Sequence, residues 1–198
     1  MGMITYTIDN KLYINVTNKC TNSCIFCIRN TPKGLGEGYD LWLEKDPTAD
    51  EILNEIKDPQ KYEEIVFCGY GEPLIRLDVV IEVAKRLKEK TSVPLRVNTN
   101  GHASYIHKKN VPQLLHGLID RISISLNASN KQKYNEICKP FYEDIYDHVI
   151  EFIKESKKYI KEVWVSCVDT IIDEEEIEKC KEIAKNLGVN FKLRAYEG

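Results

Sequence analysis

The sequence predicts an α/β fold, an incomplete (β/α)6 parallel barrel, and two observations carry that prediction. First, short runs rich in β-branched residues alternate with helical patterns along the chain. Strand–helix alternation of this kind implies parallel pairing with right-handed crossovers. Second, the chain has 198 residues, which is enough to bury one core and leaves little room for a second. We therefore expect a single domain over 1–198.

The individual elements follow from local patterns. Runs with the composition of strands lie at 12–17, 65–69, 95–100, 121–127, 162–169 and 191–196. Apolar residues at helical spacing predict helices over 76–90 and 144–160. Thr48 and Ser129 each begin a segment of capping-box form, which marks a helix start. The last helix is expected to begin near Asp173 and to end at Gly188.

Polar residues occupy one face of four of these strands. They are Tyr13, Asn15 and Thr17; Arg96, Asn98 and Asn100; Ser123, Ser125 and Asn127; and Lys192, Arg194 and Tyr196. We interpret these faces as the lining of a wet barrel interior that serves as a site. The alternative is an antiparallel sheet with one solvated face, which the helices between most of the strands disfavour.

The only long connection covers 28–47 and contains Gly34, Gly36 and Gly38. Structureless loops of this length are usually functional or disordered. Both a mobile lid and an ordinary surface loop fit the sequence.

Composition limits the partners and the compartment. The 28 basic and 31 acidic residues are interspersed and give a net charge of −3, so no global field attracts nucleic acid or an anionic membrane. The first ten residues lack the pattern of an export signal, and no run approaches the roughly 18 apolar residues of a membrane span. Seven cysteines, an odd number, argue against a disulfide framework. We expect a cytoplasmic protein without a membrane partner.

Cys20, Cys24 and Cys27 form the motif C-x-x-x-C-x-x-C just after the first predicted strand. Three thiolates can hold three irons of a [4Fe-4S] cluster and leave the fourth iron open for chemistry. A zinc site or three core cysteines are the alternatives. Zinc would need a fourth ligand, and none of the four histidines lies in this segment.

Three segments together resemble the radical SAM superfamily. The cysteine motif has an aromatic residue, Phe26, before its third cysteine; Cys68-Gly-Tyr-Gly-Glu-Pro73 is similar to the Gly-Gly-Glu motif; and Val97-Asn-Thr-Asn-Gly101 is similar to the strand end that contacts the ribose. Within the superfamily, the segments at 12–20, 67–78 and 123–128 look most like the small TatD family-associated radical SAM proteins. The resemblance implies the incomplete barrel of the radical SAM type.

The same resemblance implies two cofactors, a [4Fe-4S] cluster and S-adenosylmethionine (SAM), and cleavage of SAM to a 5′-deoxyadenosyl radical. Cys20, Cys24 and Cys27 are then the cluster ligands. The expected cofactor-binding residues are Phe26, Gly69, Tyr70, Gly71, Glu72, Asn98, Asn100, Ser125, Asn127 and Arg194.

These residues have separate expected roles. The glycines let backbone groups approach the methionine moiety, and Glu72 accepts from its ammonium. Because a β-branched side chain would block that approach, Gly71→Val is expected to impair SAM cleavage and to spare the cluster. Ribose hydroxyls are the expected partners of four side chains: Asn98, Asn100, Ser125 and Asn127. Taken singly, each of them also fits an ordinary hydrogen bond at the end of a strand.

Arg96, Lys192 and Arg194 are cations on interior-facing positions. Unpaired buried charges are costly, so their expected partners are the SAM carboxylate and an anionic substrate, and Arg194 is our choice for the carboxylate. The alternative is that Lys192 and Arg194 lie on an exposed edge strand, where charge opposes aggregation.

The remaining cysteines have structural positions. Cys180 falls on an apolar helical stripe, and Cys68 and Cys167 lie in strands. Cys138 ends a short predicted helix near the carboxyl edge of the fourth strand; a packing role is favoured over a substrate-facing thiol.

The sequence favours an enzyme that uses a one-electron donor such as flavodoxin or ferredoxin. Its substrate class stays open between a small molecule, a peptide, a nucleotide or nucleic acid, and a partner protein activated by hydrogen abstraction. The competing function is a non-enzymatic iron-sulfur or zinc protein in electron transfer or regulation.

Overall fold

A computed structural model of the chain describes residues 2–32, 34–36 and 38–196. Within these residues, seven strands form one sheet in sequence order. The strands are β1 (Thr5–Ile8), β2 (Lys11–Ile14), β3 (Glu64–Phe67), β4 (Leu95–Thr99), β5 (Arg121–Ser125), β6 (Glu162–Val168) and β7 (Asn190–Arg194). Every pair from β2 to β7 is parallel, and β1 and β7 stay at the edges. The predicted incomplete parallel barrel is confirmed.

The antiparallel strand β1 was not predicted. It pairs with β2 through a two-residue turn, Asp9 and Asn10, whose φ angles are 46° and 59°. A two-residue hairpin turn of type I′ requires positive φ at both central residues, and Asp and Asn tolerate it. The Asp-Asn pair was therefore the available signal for this hairpin.

The described residues also form seven α-helices, which cover the outside of the sheet. They are α1 (Ala49–Glu55), α2 (Leu77–Lys88), α3 (Ala103–His107), α4 (Val111–Leu114), α5 (Lys131–Cys138), α6 (Ile145–Tyr159) and α7 (Glu174–Leu187). The capping box at Thr48 is present, as are the predicted Asp173 cap and Gly188 end of α7. The start of α5 differs by one residue: Asn130 caps it, because Ser129 instead donates its N–H and hydroxyl to Glu176.

The two faces of the sheet separate as the alternation predicts. Ile65, Phe67, Val97, Ile122 and Ile124 are fully buried in one apolar core with the helices. The opposite faces of the parallel strands carry polar neighbours, such as Asn98 beside Ser123 and Ser166 beside Lys192. The antiparallel alternative is wrong for the six strands from β2 onward.

The long connection is fixed at its end nearest α1. The Asn15 amide donates to the Leu41 carbonyl at 2.7 Å, and the Asn18 side chain bonds both the carbonyl and the N–H of Leu43. This part of the segment is not a loose surface loop. Lys33 and Glu37, also in the segment, lie outside the described residues, and a lid role remains a prediction.

In the described part of the chain, no helix combines the length and apolar character needed to cross a membrane.

Candidate functional site

A cavity of about 460 Å³ lies where the parallel strands end. The sequence-predicted site residues all contribute to its lining: Cys20, Cys24, Phe26, Cys27, Gly69, Tyr70, Gly71, Glu72, Asn98, Asn100, Ser125, Asn127 and Arg194. They come from the cysteine loop after β2 and from segments at the carboxyl ends of β3, β4, β5 and β7. The topology therefore gathers residues that are far apart in the sequence.

The three motif cysteines are partly exposed, and two of their sulfurs face N–H donors. The Asn22 N–H lies 3.5 Å from Cys20 Sγ, and the Asn100 amide approaches the same sulfur at 3.9 Å. Arg29 Nε lies 3.3 Å from Cys27 Sγ. N–H donors around sulfur stabilise thiolates and tune the potential of a bound cluster.

The donor set fits a cluster. Among the described residues, no three His, Cys, Asp or Glu side chains converge as ligands of a single metal ion. A [4Fe-4S] cluster makes no such demand, because each thiolate binds a different iron. Burial, and then the nearby Glu72 carboxylate, raise the pKa of the Cys20 thiol to about 11, so iron binding there must release a proton.

A network of buried polar side chains makes hydrogen bonds to the cysteine loop. Thr21 Oγ1 lies 2.7 Å from His102 Nδ1, and His102 Nε2 lies 2.9 Å from the Tyr134 hydroxyl. The Asn22 amide also donates to Tyr134, and the Asn100 amide donates to Thr21. Burial lowers the pKa of His102 to about 3, so the imidazole is neutral in this network.

Sequence reasoning missed His102 and Tyr134. Both side chains are fully buried and meet the loop from α5 and from the turn before α3. A histidine two residues after a strand-end asparagine was the one local signal, and nothing in the sequence linked it to the cysteines.

The glycines of the second motif lie against the ligand loop, and their approach to the methionine moiety of SAM stays a prediction. A Cβ on Gly71 would lie 2.2 Å from the Thr17 carbonyl oxygen and 2.5 Å from that of Lys19. A Cβ on Gly69 would lie 2.1 Å from Asn15 Oδ1. These glycines therefore lie close to the chain leading into Cys20, and a side chain at Gly71 would disturb the segment that carries the cluster ligands, contrary to the expectation that Gly71→Val spares the cluster.

Glu72 is buried with both carboxylate oxygens in use. Oε1 accepts from the Leu74 N–H at 3.0 Å and from the Thr99 hydroxyl at 2.7 Å, and Oε2 accepts from the Asn100 N–H at 2.6 Å. Burial raises the pKa of Glu72 to about 7, although these donors oppose the shift. The contacts make Glu72 a positioning residue for the end of β4; its contact with the SAM ammonium stays a prediction.

The Asn side chains are also partly committed. Asn98 Oδ1 accepts from Arg96 at 2.9 Å. Asn127, at φ 60°, directs its amide to Cys138 Sγ at 3.3 Å, and its buried Oδ1 has no partner among the described residues. Ser125 lines the cavity beside them. Their roles toward a ribose remain predictions.

The three predicted interior cations divide into two groups. Arg96 pairs with the buried Glu64 at 3.0 Å, and Glu64 also pairs with Arg121 at 3.0 Å. The expectation that only a cofactor or substrate could neutralise Arg96 is therefore wrong. Lys192 and Arg194 line the cavity and have no ion-pair partner in the described part of the chain, and they also lie on an edge strand, as the alternative held.

The other cysteines lie largely as expected. Cys138, Cys167 and Cys180 are fully buried, so the packing interpretation of Cys138 and Cys180 is confirmed. Cys68 differs, because it follows the end of β3 and lines the cavity.

A family model described as the Radical SAM superfamily matches residues 14–191 of this sequence. The chain belongs to the radical SAM superfamily. It is 34% identical over 146 residues to a protein named glycyl-radical enzyme activating enzyme from Methanocaldococcus jannaschii, covering 70% of this chain and 57% of that protein. It is 25% identical over 184 residues to a GTP 3′,8-cyclase of Aliarcobacter butzleri, covering 89% of this chain and 52% of that protein.

The chain thus spans about half the length of the curated relatives it matches. The structure of SuiB from Streptococcus suis bound to S-adenosylmethionine superposes with a TM-score of 0.69 at 19% identity, over 95% of this chain and 41% of that one. At this identity the likeness shows the fold alone, a radical SAM partial barrel.

Members of the radical SAM superfamily use a [4Fe-4S] cluster and SAM, which confirms the predicted cofactors at the level of the family. The residues present fit both groups. Three thiols on one loop supply the cluster ligands, and the adjoining cavity carries hydrogen-bonding side chains and two cations without an ion-pair partner in the described chain.

Proposed function

We propose that this chain is a radical SAM enzyme that holds a [4Fe-4S] cluster through Cys20, Cys24 and Cys27 and binds SAM in the adjoining cavity. One observation carries the proposal: the three cysteines and all ten residues expected to contact the cofactor line the same cavity. An electron-transfer or zinc protein would need no such cavity beside its thiols.

The bound cofactors would supply the electron and the sulfonium whose cleavage yields methionine and a 5′-deoxyadenosyl radical. The protein positions the cluster ligands and the groups that would contact SAM. Asn22, Asn100 and Arg29 direct N–H groups at the ligand sulfurs. The Thr21–His102–Tyr134 network fixes the loop in one conformation, and Arg194 offers a guanidinium for a carboxylate.

The reaction on the substrate is hydrogen abstraction, with the electron delivered by a donor such as flavodoxin or ferredoxin. We keep the substrate as a small molecule, a peptide, a nucleotide or a partner protein, since the relatives include both a glycyl-radical enzyme activating enzyme and a GTP 3′,8-cyclase. The three segments at 12–20, 67–78 and 123–128 support membership of the TatD-associated subgroup. We further propose that residues 1–198 form a single domain and that the protein works in the cytoplasm.

The decisive experiment is anaerobic reconstitution followed by reduction. We expect about four irons per chain and slow conversion of SAM to 5′-deoxyadenosine, measured by iron analysis and product chromatography. The triple variant Cys20→Ala, Cys24→Ala, Cys27→Ala should lose both. Cys180→Ala, which changes a cysteine in the core away from the cavity, is the matched control and should keep both.

A full cluster in the triple variant would refute the ligand assignment. A full cluster in the wild type without SAM cleavage under strong reductant would instead favour the electron-transfer function.

A further inference from the structure

Arg96 and Asn98 lie two residues apart on β4, so their side chains share the interior face of that strand. Asn98 lines the cavity, whereas Arg96 lies nearer the amino end of the strand and is not part of the cavity lining. Arg96 Nη1 donates to Asn98 Oδ1 at 2.9 Å. A residue outside the cavity thus makes a hydrogen bond to one that lines it.

The chemistry of the guanidinium fixes the orientation of the Asn98 amide. Arginine has donors and no acceptor, so the amide oxygen, and not the amide nitrogen, must face it. The Nδ2 amino group therefore points away from Arg96. Burial raises the pKa of the Cys68 thiol, which also lines the cavity, and the Asn98 side chain opposes that shift, as a donor directed toward the cavity would.

Glu64 holds the guanidinium in this position. Its side chain is buried, and Oε2 accepts from Arg96 Nε at 3.0 Å. The bonds to Glu64 and Asn98 leave the same rigid, planar group, so a shift of Arg96 away from one partner also disturbs the other. Breaking the bond to a buried carboxylate is costly. The orientation of Asn98 is therefore coupled to an ion pair that lies outside the cavity.

We propose that Glu64 and Arg96 are positioning residues for the cofactor: they hold Asn98 with Nδ2 directed into the cavity, where it donates to an acceptor atom of SAM, such as a ribose oxygen. The identity of this ligand rests on the proposed function. The orientation of the amide does not, because it follows from contacts within the chain.

Arg121 is a matched comparison for Arg96. It donates to the other oxygen of Glu64, also at 3.0 Å, and to Glu162 at 2.8 Å. It lies on β5, beside Arg96 in the sheet, and is likewise outside the cavity lining. Within the described residues it makes no hydrogen bond to Asn98. Removing Arg121 disrupts the same ion-pair network and leaves the bond between Arg96 and Asn98 in place.

The first measurement uses the full chain without iron and needs no cofactor. NMR of an isotope-labelled sample records the side-chain amide signals of Asn98, which are assigned by their loss in Asn98→Leu. In Arg96→Met we expect these signals to move and broaden, because Oδ1 has lost its donor and the amide can rotate. Arg121→Met should leave them near their wild-type positions. Unchanged Asn98 signals in Arg96→Met would overturn the proposal.

The second measurement is a double-substitution cycle on the reconstituted, oxidised protein, with equilibrium binding of SAM as the readout. Asn98→Leu should weaken binding by about tenfold, the loss of one hydrogen bond of ordinary strength, and Arg96→Met by a part of this. When Asn98 is already Leu, Arg96→Met should have no further effect, because Arg96 acts only through Asn98. Arg121→Met should bind SAM as the wild type does. Iron content should stay unchanged throughout, since the ligands lie on another loop.

Equal losses from Arg96→Met in both backgrounds would show a general structural effect and would overturn the positioning role. Arg96→Lys serves if Arg96→Met does not fold. It keeps a charge for Glu64, loses the fork that reaches two partners, and should weaken SAM binding only when Asn98 is present. A wild-type protein that assembles its cluster and does not bind SAM would refute the proposed function and SAM as the ligand of Asn98, whereas the amide signals would still decide the orientation.

Discussion

Among single residues, we expect Arg194 to be the cation that binds the SAM carboxylate. Its Nε donates to Ser166 Oγ at 3.1 Å, which orients the guanidinium. Arg96 is already neutralised by Glu64, and Lys192, although in the same cavity lining, is an exposed side chain on the edge strand. We therefore expect the SAM carboxylate to bind Arg194, with Lys192 as the second candidate.

Replacing Arg194 with Lys keeps the charge and removes the paired donors. We expect SAM binding to weaken by about 1–3 kcal/mol, the size of a charge-assisted hydrogen bond, with iron content unchanged because the ligand loop is a separate segment. A binding titration measures the effect, and Lys192→Gln, which removes a whole charge nearby, should weaken binding less. Unchanged affinity in both Arg194→Lys and Arg194→Ala would remove Arg194 from the cofactor site.

At the scale of elements, the turn after β3 supports the segment that leads into the first ligand. The Glu72 N–H donates to the Lys19 carbonyl at 2.8 Å, and Gly71 lies directly against the Thr17 and Lys19 carbonyls. Motifs that are about fifty residues apart thus form one structural unit.

That contact makes Gly71→Ala a test of the unit. A Cβ 2.2 Å from a backbone oxygen forces the segment before Cys20 to move, so we expect iron incorporation to fall together with SAM cleavage. Gly117→Ala is the control: its φ of 75° strains any side chain, but its Cβ meets nothing within 4 Å. The control should lose stability and keep its iron; normal iron incorporation in Gly71→Ala would mean that the segment adapts without cost to the ligands.

Local patterns predicted the elements well where the physical cause is local. Helices α2, α6 and α7 begin and end within two residues of the expected positions, because apolar periodicity and caps are read within one segment. The cap of α5 was predicted one residue too early, because the Ser129 N–H donates to Glu176, which lies 47 residues away in the sequence.

The candidate site also divides into features with a local cause, which the sequence predicted, and features that depend on distant residues, which it did not. The cysteines were predictable because their spacing is itself the signal. The partners of Arg96 and of the cysteine loop were not, because Glu64 and Tyr134 reach them only through tertiary contacts between distant elements. A sequence pattern indicates which residues share a strand face, and it does not indicate which of them form an ion pair with a residue of another element.

For the whole molecule, two buried titratable groups near the cysteine loop affect stability in opposite directions. Glu72 has a raised pKa of about 7 in place of 4.5, so the folded chain binds its proton more tightly, and stability is lost as pH rises from 4.5 to 7. His102 has a lowered pKa of about 3 in place of 6.5, so the unfolded chain binds its proton more tightly, and stability is lost as pH falls below 6.5. Between pH 4.5 and 6.5 the two effects cancel.

Single substitutions should separate the effects of Glu72 and His102 on the pH dependence of stability. In Glu72→Gln only the histidine effect remains, and the free energy of unfolding should fall by about 1.4 kcal/mol for each unit that the pH drops within this window. In His102→Gln only the carboxyl effect remains, and the same free energy should rise by a similar amount per unit. Each variant also loses hydrogen bonds, but that cost shifts the whole curve and leaves its slope unchanged. Urea denaturation of the reduced, cluster-free chain from pH 4.5 to 6.5 measures both slopes. Parallel slopes in the two variants would show that Glu72 and His102 titrate in the folded chain as they do in the unfolded one, and that the buried network does not hold His102 neutral.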